Sequence, residues 1–225
     1  MKKIFIFSVL LFFGSVGGSY ATLIDFRSGD FSSADGLSSF FYAPAGLTIT
    51  ASPNSATLYQ DSTDGLGIRY RYSYEDDEIE GKEFLHLSFN VPQVLNEIQI
   101  TDLFNEPYYG GGSYLEEGQY SFDGNVWIDF EADSTQTPGT NGELTLFLSS
   151  PAVDDIWFRA PGWRFHDCHF EHHEFSVAGI DVDVAPVPEP ATLLLLGSGL
   201  VGLAGFRKRP RTTKRGRSCR TCIKN

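Results

Sequence analysis

Between residues 22 and 184, apolar and polar residues alternate with a period of two in short runs rich in Ile, Val, Phe, Tyr and Thr. This is the pattern of strands buried on one face. The runs fall at 23–27, 47–51, 56–60, 66–72, 84–91, 97–103, 118–123, 126–130, 143–148, 154–160 and 174–184, and none longer than ten residues keeps helical spacing. Asp123-Gly124 predicts a tight hairpin between two runs, and Asn141-Gly142 a second turn. Prolines 92, 107, 138, 151 and 161 lie between runs or at their ends, where a residue lacking an N–H does least harm to a sheet. About ten short strands in roughly 163 residues predict an all-β domain, an antiparallel β-sandwich of jelly-roll-like form. Trp127 and Trp157 fall on strands and are expected in its core, because large rings bury the most area.

The pattern changes at both ends. Residues 1–21 have two lysines, an apolar stretch at 4–13 and the small-residue site Ser19-Tyr20-Ala21, the layout of a secretory signal peptide. Residues 22–186 form the acidic sandwich domain. The segment 187–211 opens on Val187-Pro188-Glu189-Pro190, continues as a 16-residue apolar run at 191–206, and closes on Arg207-Lys208-Arg209. As a single helix the apolar run spans roughly 24 Å, slightly less than an average hydrocarbon core, and its basic border holds the C-terminal end in the cytoplasm. Residues 212–225 extend that basic tail.

Pro-Glu-Pro, apolar segment and basic cluster, in that order beside a signal peptide, resemble the PEP-CTERM sorting signal of Gram-negative bacteria. The resemblance implies processing by an exosortase, transient residence in the inner membrane through the C-terminal apolar helix, and delivery to the cell envelope, outer surface or extracellular matrix. It also implies company with extracellular polysaccharide and biofilm. The chain departs from the family in running on through RTTKRGRSCRTCIKN after the basic cluster. The stretch DGLGIRYRYSYEDDEIEGKEFLHLSFN, followed by LNEIQITDLFNE, is similar to the bodies of other proteins with this tag and implies a sandwich of carbohydrate-module type. Fold alone confers no sugar site.

Charge narrows the chemistry. Six of the 17 Lys and Arg and 28 of the 29 Asp and Glu fall within 22–186, giving that segment a formal net charge of −22 against −12 for the whole chain. Such a body repels nucleic-acid backbones and attracts divalent cations. Glu75, Asp76, Asp77, Glu78, Glu80 and Glu83 crowd into one short stretch. Ca²⁺ takes several oxygen ligands from a loop of this kind, so Asp76, Asp77 and Glu78 are the first candidates for a metal, with Asp102, Glu106, Asp181 and Asp183 next. Calcium is the one cofactor expected. Tyr108, Tyr109, Tyr114 and Trp163 lie in expected loops and are the candidates for stacking on sugar rings. His166, His169, His172 and His173 surround Cys168; imidazole and thiolate suit a transition metal, although the spacing matches no standard zinc pattern.

No nucleophile elbow or phosphate loop is present in the sequence, so no catalytic residues are assigned and the chain is not expected to be an enzyme. The expected role is that of an exported, non-catalytic surface or matrix protein associated with extracellular polysaccharide and assisted by calcium. The alternatives are a purely structural matrix protein cross-linked by calcium and a secreted polysaccharide hydrolase.

Overall fold

The computed structural model describes residues 21–70, 77–107, 112–162, 164–166, 169–184, 197–200 and 203. The chain divides into two compact units, Met1–Ala185 and Pro186–Asn225. In the second unit, residues 197–200 and 203 are helical. Among the described residues no helix is long and apolar enough to cross a membrane. The segment 1–20, Val187 to Pro190 and the basic cluster at 207–209 lie outside the described residues.

The first unit is built of antiparallel strands: β1 (Thr22–Asp25), β2 (Ser39–Tyr42), β3 (Leu47–Ser52), β4 (Thr57–Asp61), β5 (Gly65–Arg69), β6 (Ile79–Glu80), β7 (Phe84–Thr101) and β8 (Asn105–Pro107). They continue as β9 (Ser113–Leu115), β10 (Glu117–Ser121), β11 (Ile128–Glu131), β12 (Leu144–Phe147), β13 (Ala152–Arg159), β14 (Arg164–His166), β15 (His169–Glu171) and β16 (Glu174–Val184). The all-β expectation holds.

β7 organises the sheet: its two halves serve mainly different wings, and β13 spans the corner through Val153↔Gln93 and Ala152↔Val94. Its first half pairs with β3 through Leu47↔Phe89 to Ser52↔Phe84 and with β13 through Leu85↔Phe158 to Ser88↔Asp155. Its second half pairs with β12 and with β16, the latter from Thr101↔Ser176 to Gln93↔Val184. The 84–91 and 97–103 runs, expected as two strands, are thus one. Asn90, Val91 and Pro92 are exposed where the inward alternation breaks. A strand that passes from one wing to the other needs such a corner, and Pro92, which can donate no ladder bond, sits there. β10 and β11 extend the first wing beyond β13; β1, β5 and β6 pair with β16 in the second.

Alternation fills the core as the period predicts. Leu47, Ile49, Leu85, Leu87, Ile156 and Phe158 are fully buried from the first wing, and Ile98, Phe175, Val177 and Ile180 join them from the second. Phe26 meets Phe31 edge-on at 5.0 Å, and Phe130 meets Phe175 at 5.1 Å, the arrangement that ring quadrupoles favour. Among the described residues, every strand and every core residue lies within 22–184, so this segment carries its own core.

The two strand tryptophans are not in that core. Register places Trp157 opposite His86 and Arg159 opposite Gln119, on the face turned away from Leu85, Ile156 and Phe158. Trp127 precedes β11, and both tryptophans are half-exposed. The alternation that buries Ile156 and Phe158 forces Trp157 outward. The Asp123-Gly124 hairpin is present with a longer connection than a two-residue turn: β10 and β11 pair across residues 122–127. Asp123 Oδ1 accepts bonds from the N–H groups of Asn125 and Val126, each at 2.8 Å, an Asx-type turn.

Candidate functional site: a carboxylate cleft, a histidine bridge and an aromatic face

Carboxylates scattered over more than 110 positions of sequence converge at the β5, β6 and β16 end of the second wing. A small cleft is lined by Tyr59, Asp61, Asp64, Asp77, Glu78, Asp102 and Ser176. Its volume of about 10 Å³ is room for roughly one water-sized sphere. Backbone contacts set its shape. Asp64 offers its carbonyl to Thr101 Oγ1 at 2.5 Å, and the Glu78 carbonyl accepts the Ile68 N–H at 3.3 Å. Gly67 allows this approach, because a Cβ there would overlap the Asp77 carbonyl oxygen. Asp102 closes β7 at φ +55°, a left-handed position that Asp tolerates better than most residues.

Crowding and partial burial oppose the charged form of the carboxylates here. Burial, with Glu174, Asp102 and Asp77 nearby and a hydrogen bond to Glu174, pushes Glu78 up to about 10. Burial, followed by the charges of Asp64 and Asp77, pushes Asp102 up to about 7, and one of its carboxylate oxygens, Oδ2, is buried without a partner. Asp64 and Asp77 are raised for the same first reason. Such a set gains from a cation that neutralises it. Of the residues anticipated for a metal, Asp77 and Glu78 line this cleft together with the secondary candidate Asp102. Asp76 lies outside the described residues. Asp183 belongs elsewhere on the sheet, where Asn96 donates to its carboxylate at 3.2 Å.

Beside the cleft, the pairing of β6 with β16 sets Glu80 directly opposite Glu174. His172 lies between the two acids. Its Nε2 meets Glu80 Oε2, and its Nδ1 is 3.0 Å from Glu174 Oε2. These hydrogen bonds outweigh burial and raise the ring to about 10. Tyr114 fixes the backbone here: its hydroxyl donates to the His172 carbonyl at 2.9 Å and accepts the His172 N–H at 3.2 Å. Tyr114, anticipated as a stacking platform, therefore stands as a half-buried strut, edge-on to His173 at 5.8 Å. His173 is buried and its Nδ1 accepts the Glu117 N–H at 3.0 Å. Glu116, buried and pushed up to about 9 chiefly by that burial, accepts the Phe104 N–H at 2.7 Å. Tyr108, Tyr109, Trp163 and Cys168 lie outside the described residues, and His166 and His169 are placed only as members of the β14–β15 hairpin.

The first wing offers a different surface. Arg159 lies over the Trp127 ring at 3.8 Å, a cation–π contact, and Phe84 is 6.0 Å from the same ring. Gln119 is locked by two bonds: its Oε1 accepts from Arg159 Nε at 2.7 Å and its Nε2 donates to Asp129 at 2.5 Å. One strand pair further on, His86 stacks on Trp157 at 4.4 Å with planes 5° apart, while Asp155 holds its Nε2 at 2.8 Å. An open groove of about 530 Å³ runs past Lys82, Phe84, Gln119, Arg159 and Gly162. Sequence pattern missed this face because it placed both tryptophans inside.

The class is thus an acidic, antiparallel all-β body with a carboxylate-lined cleft at one end and an aromatic outer face. Residues 186–209 match the PEP-CTERM protein-sorting motif, so the chain carries the sorting signal that its Pro-Glu-Pro, apolar and basic segments suggested. The motif implies an exported, envelope-sorted protein and processing by exosortase. No curated protein matches the chain.

Proposed function

We propose that this chain is a non-catalytic protein of the cell surface or extracellular matrix, released to its site by exosortase cleavage after passing transiently through the inner membrane. In this reading the body is a jelly-roll-like sandwich that associates with extracellular polysaccharide, with calcium as its helper ion. The observation that carries the reading is the outer face of the first wing. Trp127 and Phe84 give flat apolar surfaces, and Gln119, Arg159 and Lys82 stand beside them to bond hydroxyl or acidic groups. That combination of stacking surface and fixed polar groups suits a sugar chain. Calcium in the Asp77, Glu78 and Asp102 cleft would cancel part of the −22 charge that otherwise repels an acidic glycan.

The test is binding of residues 22–186 to an array of bacterial polysaccharides in millimolar Ca²⁺. Binding that Trp127→Ala weakens about tenfold, with the fold retained by circular dichroism, supports the reading. Equal binding by wild type and W127A, or none by either, overturns it. The carboxylate cleft favours a second reading, a structural protein cross-linked by calcium with no sugar specificity. That reading requires calcium-dependent self-association of the body with a blank array.

A further inference from the structure

We propose that Glu80, His172 and Glu174 form a second metal site, selective for a borderline divalent ion of the Zn²⁺ class rather than for calcium. The backbone imposes the arrangement. Glu80 and Glu174 are direct register partners, and like charges directly opposite one another on a sheet repel unless something positive sits between them. A ring nitrogen of His172 and one oxygen from each carboxylate lie within 4.8 Å of one another, close enough to turn onto one ion. The backbone of each ligand is held separately: Glu80 in β6, Glu174 in β16 and His172 by the two Tyr114 hydrogen bonds. Little ordering is left to binding.

The donor set chooses the ion. One imidazole and two carboxylates suit Zn²⁺ and its neighbours, whereas Ca²⁺ prefers an all-oxygen shell of six to eight ligands. The His172 side chain is 38% exposed, so an ion can enter and water can fill the remaining positions. Binding displaces the proton from one ring nitrogen to solvent. The other nitrogen keeps its N–H and can donate it to a neighbouring carboxylate, as histidine ligands commonly do. The site therefore differs from the calcium cleft in ligand chemistry, although Glu78 hydrogen-bonds Glu174 and so adjoins both.

The experiment is Co²⁺ titration of residues 22–186, because Co²⁺ reports nitrogen ligation through its visible absorption. The expected result is a band that saturates at one equivalent, is displaced by one equivalent of Zn²⁺ and survives millimolar Ca²⁺. His172→Gln should abolish the band, and Glu174→Gln, the milder isosteric change, should weaken affinity by roughly 10- to 100-fold. His86→Gln, on the other wing, should leave both untouched. A wild-type protein without the band, or E174Q binding as tightly as wild type, overturns the proposal. If H172Q fails to fold, E174Q decides alone.

Discussion

Replacing Glu78 with Gln should make the calcium-free body more stable at neutral pH, although it removes a group at the centre of the cleft. Glu78 is raised from 4.5 to about 10 because burial and the neighbouring Glu174, Asp102 and Asp77 oppose its charge. Between those values the folded protein holds a proton that the unfolded chain has released. Folding stability from this group is then complete below pH 4.5 and is lost as pH rises toward the folded value. At about 1.4 kcal/mol per pH unit, the loss by pH 7 is about 3 kcal/mol, reduced to about 2 kcal/mol because the cleft is open to solvent. Gln keeps the shape and can still donate to Glu174, but takes up no proton on folding. For a body of this size the gain corresponds to a Tm rise of roughly 4–8 °C at pH 7. Thermal melts of wild type and E78Q in EDTA at pH 4, 5.5, 7 and 8 measure it. The two curves should coincide at pH 4 and separate upward. In millimolar Ca²⁺ the order should reverse, since an ion that binds only the folded wild type adds stability by mass action. A Tm gap in EDTA that does not vary with pH, or an E78Q protein less stable than wild type at pH 7, would refute the electrostatic account of the cleft.

Three further outcomes follow from other parts of the molecule. His172→Gln in EDTA should cost about 1 kcal/mol at pH 6; because the ring is raised to about 10 by its bonds to Glu174 and Glu80, that stabilisation is full below pH 6.5 and should fade as pH passes 10, which urea melts at the two extremes can check. Gly67→Ala should destabilise by about 3 kcal/mol and abolish the calcium-induced Tm rise, since the new methyl group displaces the Asp77 backbone. Glu189→Ala, within the matched sorting motif, should leave full-length chain in the membrane fraction, visible as a slower band on a gel of cell fractions.

The strand pattern was legible wherever one face meets the core and the other meets water, as in 47–51, 154–160 and 174–184. It failed where that asymmetry is missing. Phe40 and Phe41 in β2 are both apolar although only one leans on the core, so no alternation marks that strand. The continuity of β7 through Pro92 was hidden because proline reads as a break, whereas here it occupies a corner. In the cleft, Asp77, Glu78 and Asp102 could be found from local charge density or proximity to it. Asp61 and Asp64 could not, because only sheet pairing brings them there. The histidine run drew attention to His172, but its partner Glu80 is 92 positions away and no local spacing encodes that meeting.

Strand order also decides how the body bears tension. β16 ends at Val184 and is a central strand, paired along its length with β7 and near its end with β1. A pull applied through the chain beyond Val184 is therefore delivered to the middle of the sheet rather than to a strand at its margin. If the opposing grip is on Trp127 and Arg159, the load passes from β16 to β7, then to β13 and β10, through successive ladders that each share it over several hydrogen bonds. Peeling one edge strand would not release such a tether; whole ladders would have to slide. The same connectivity that buries the core spreads a load entering at Val184 over the whole sheet of the first unit.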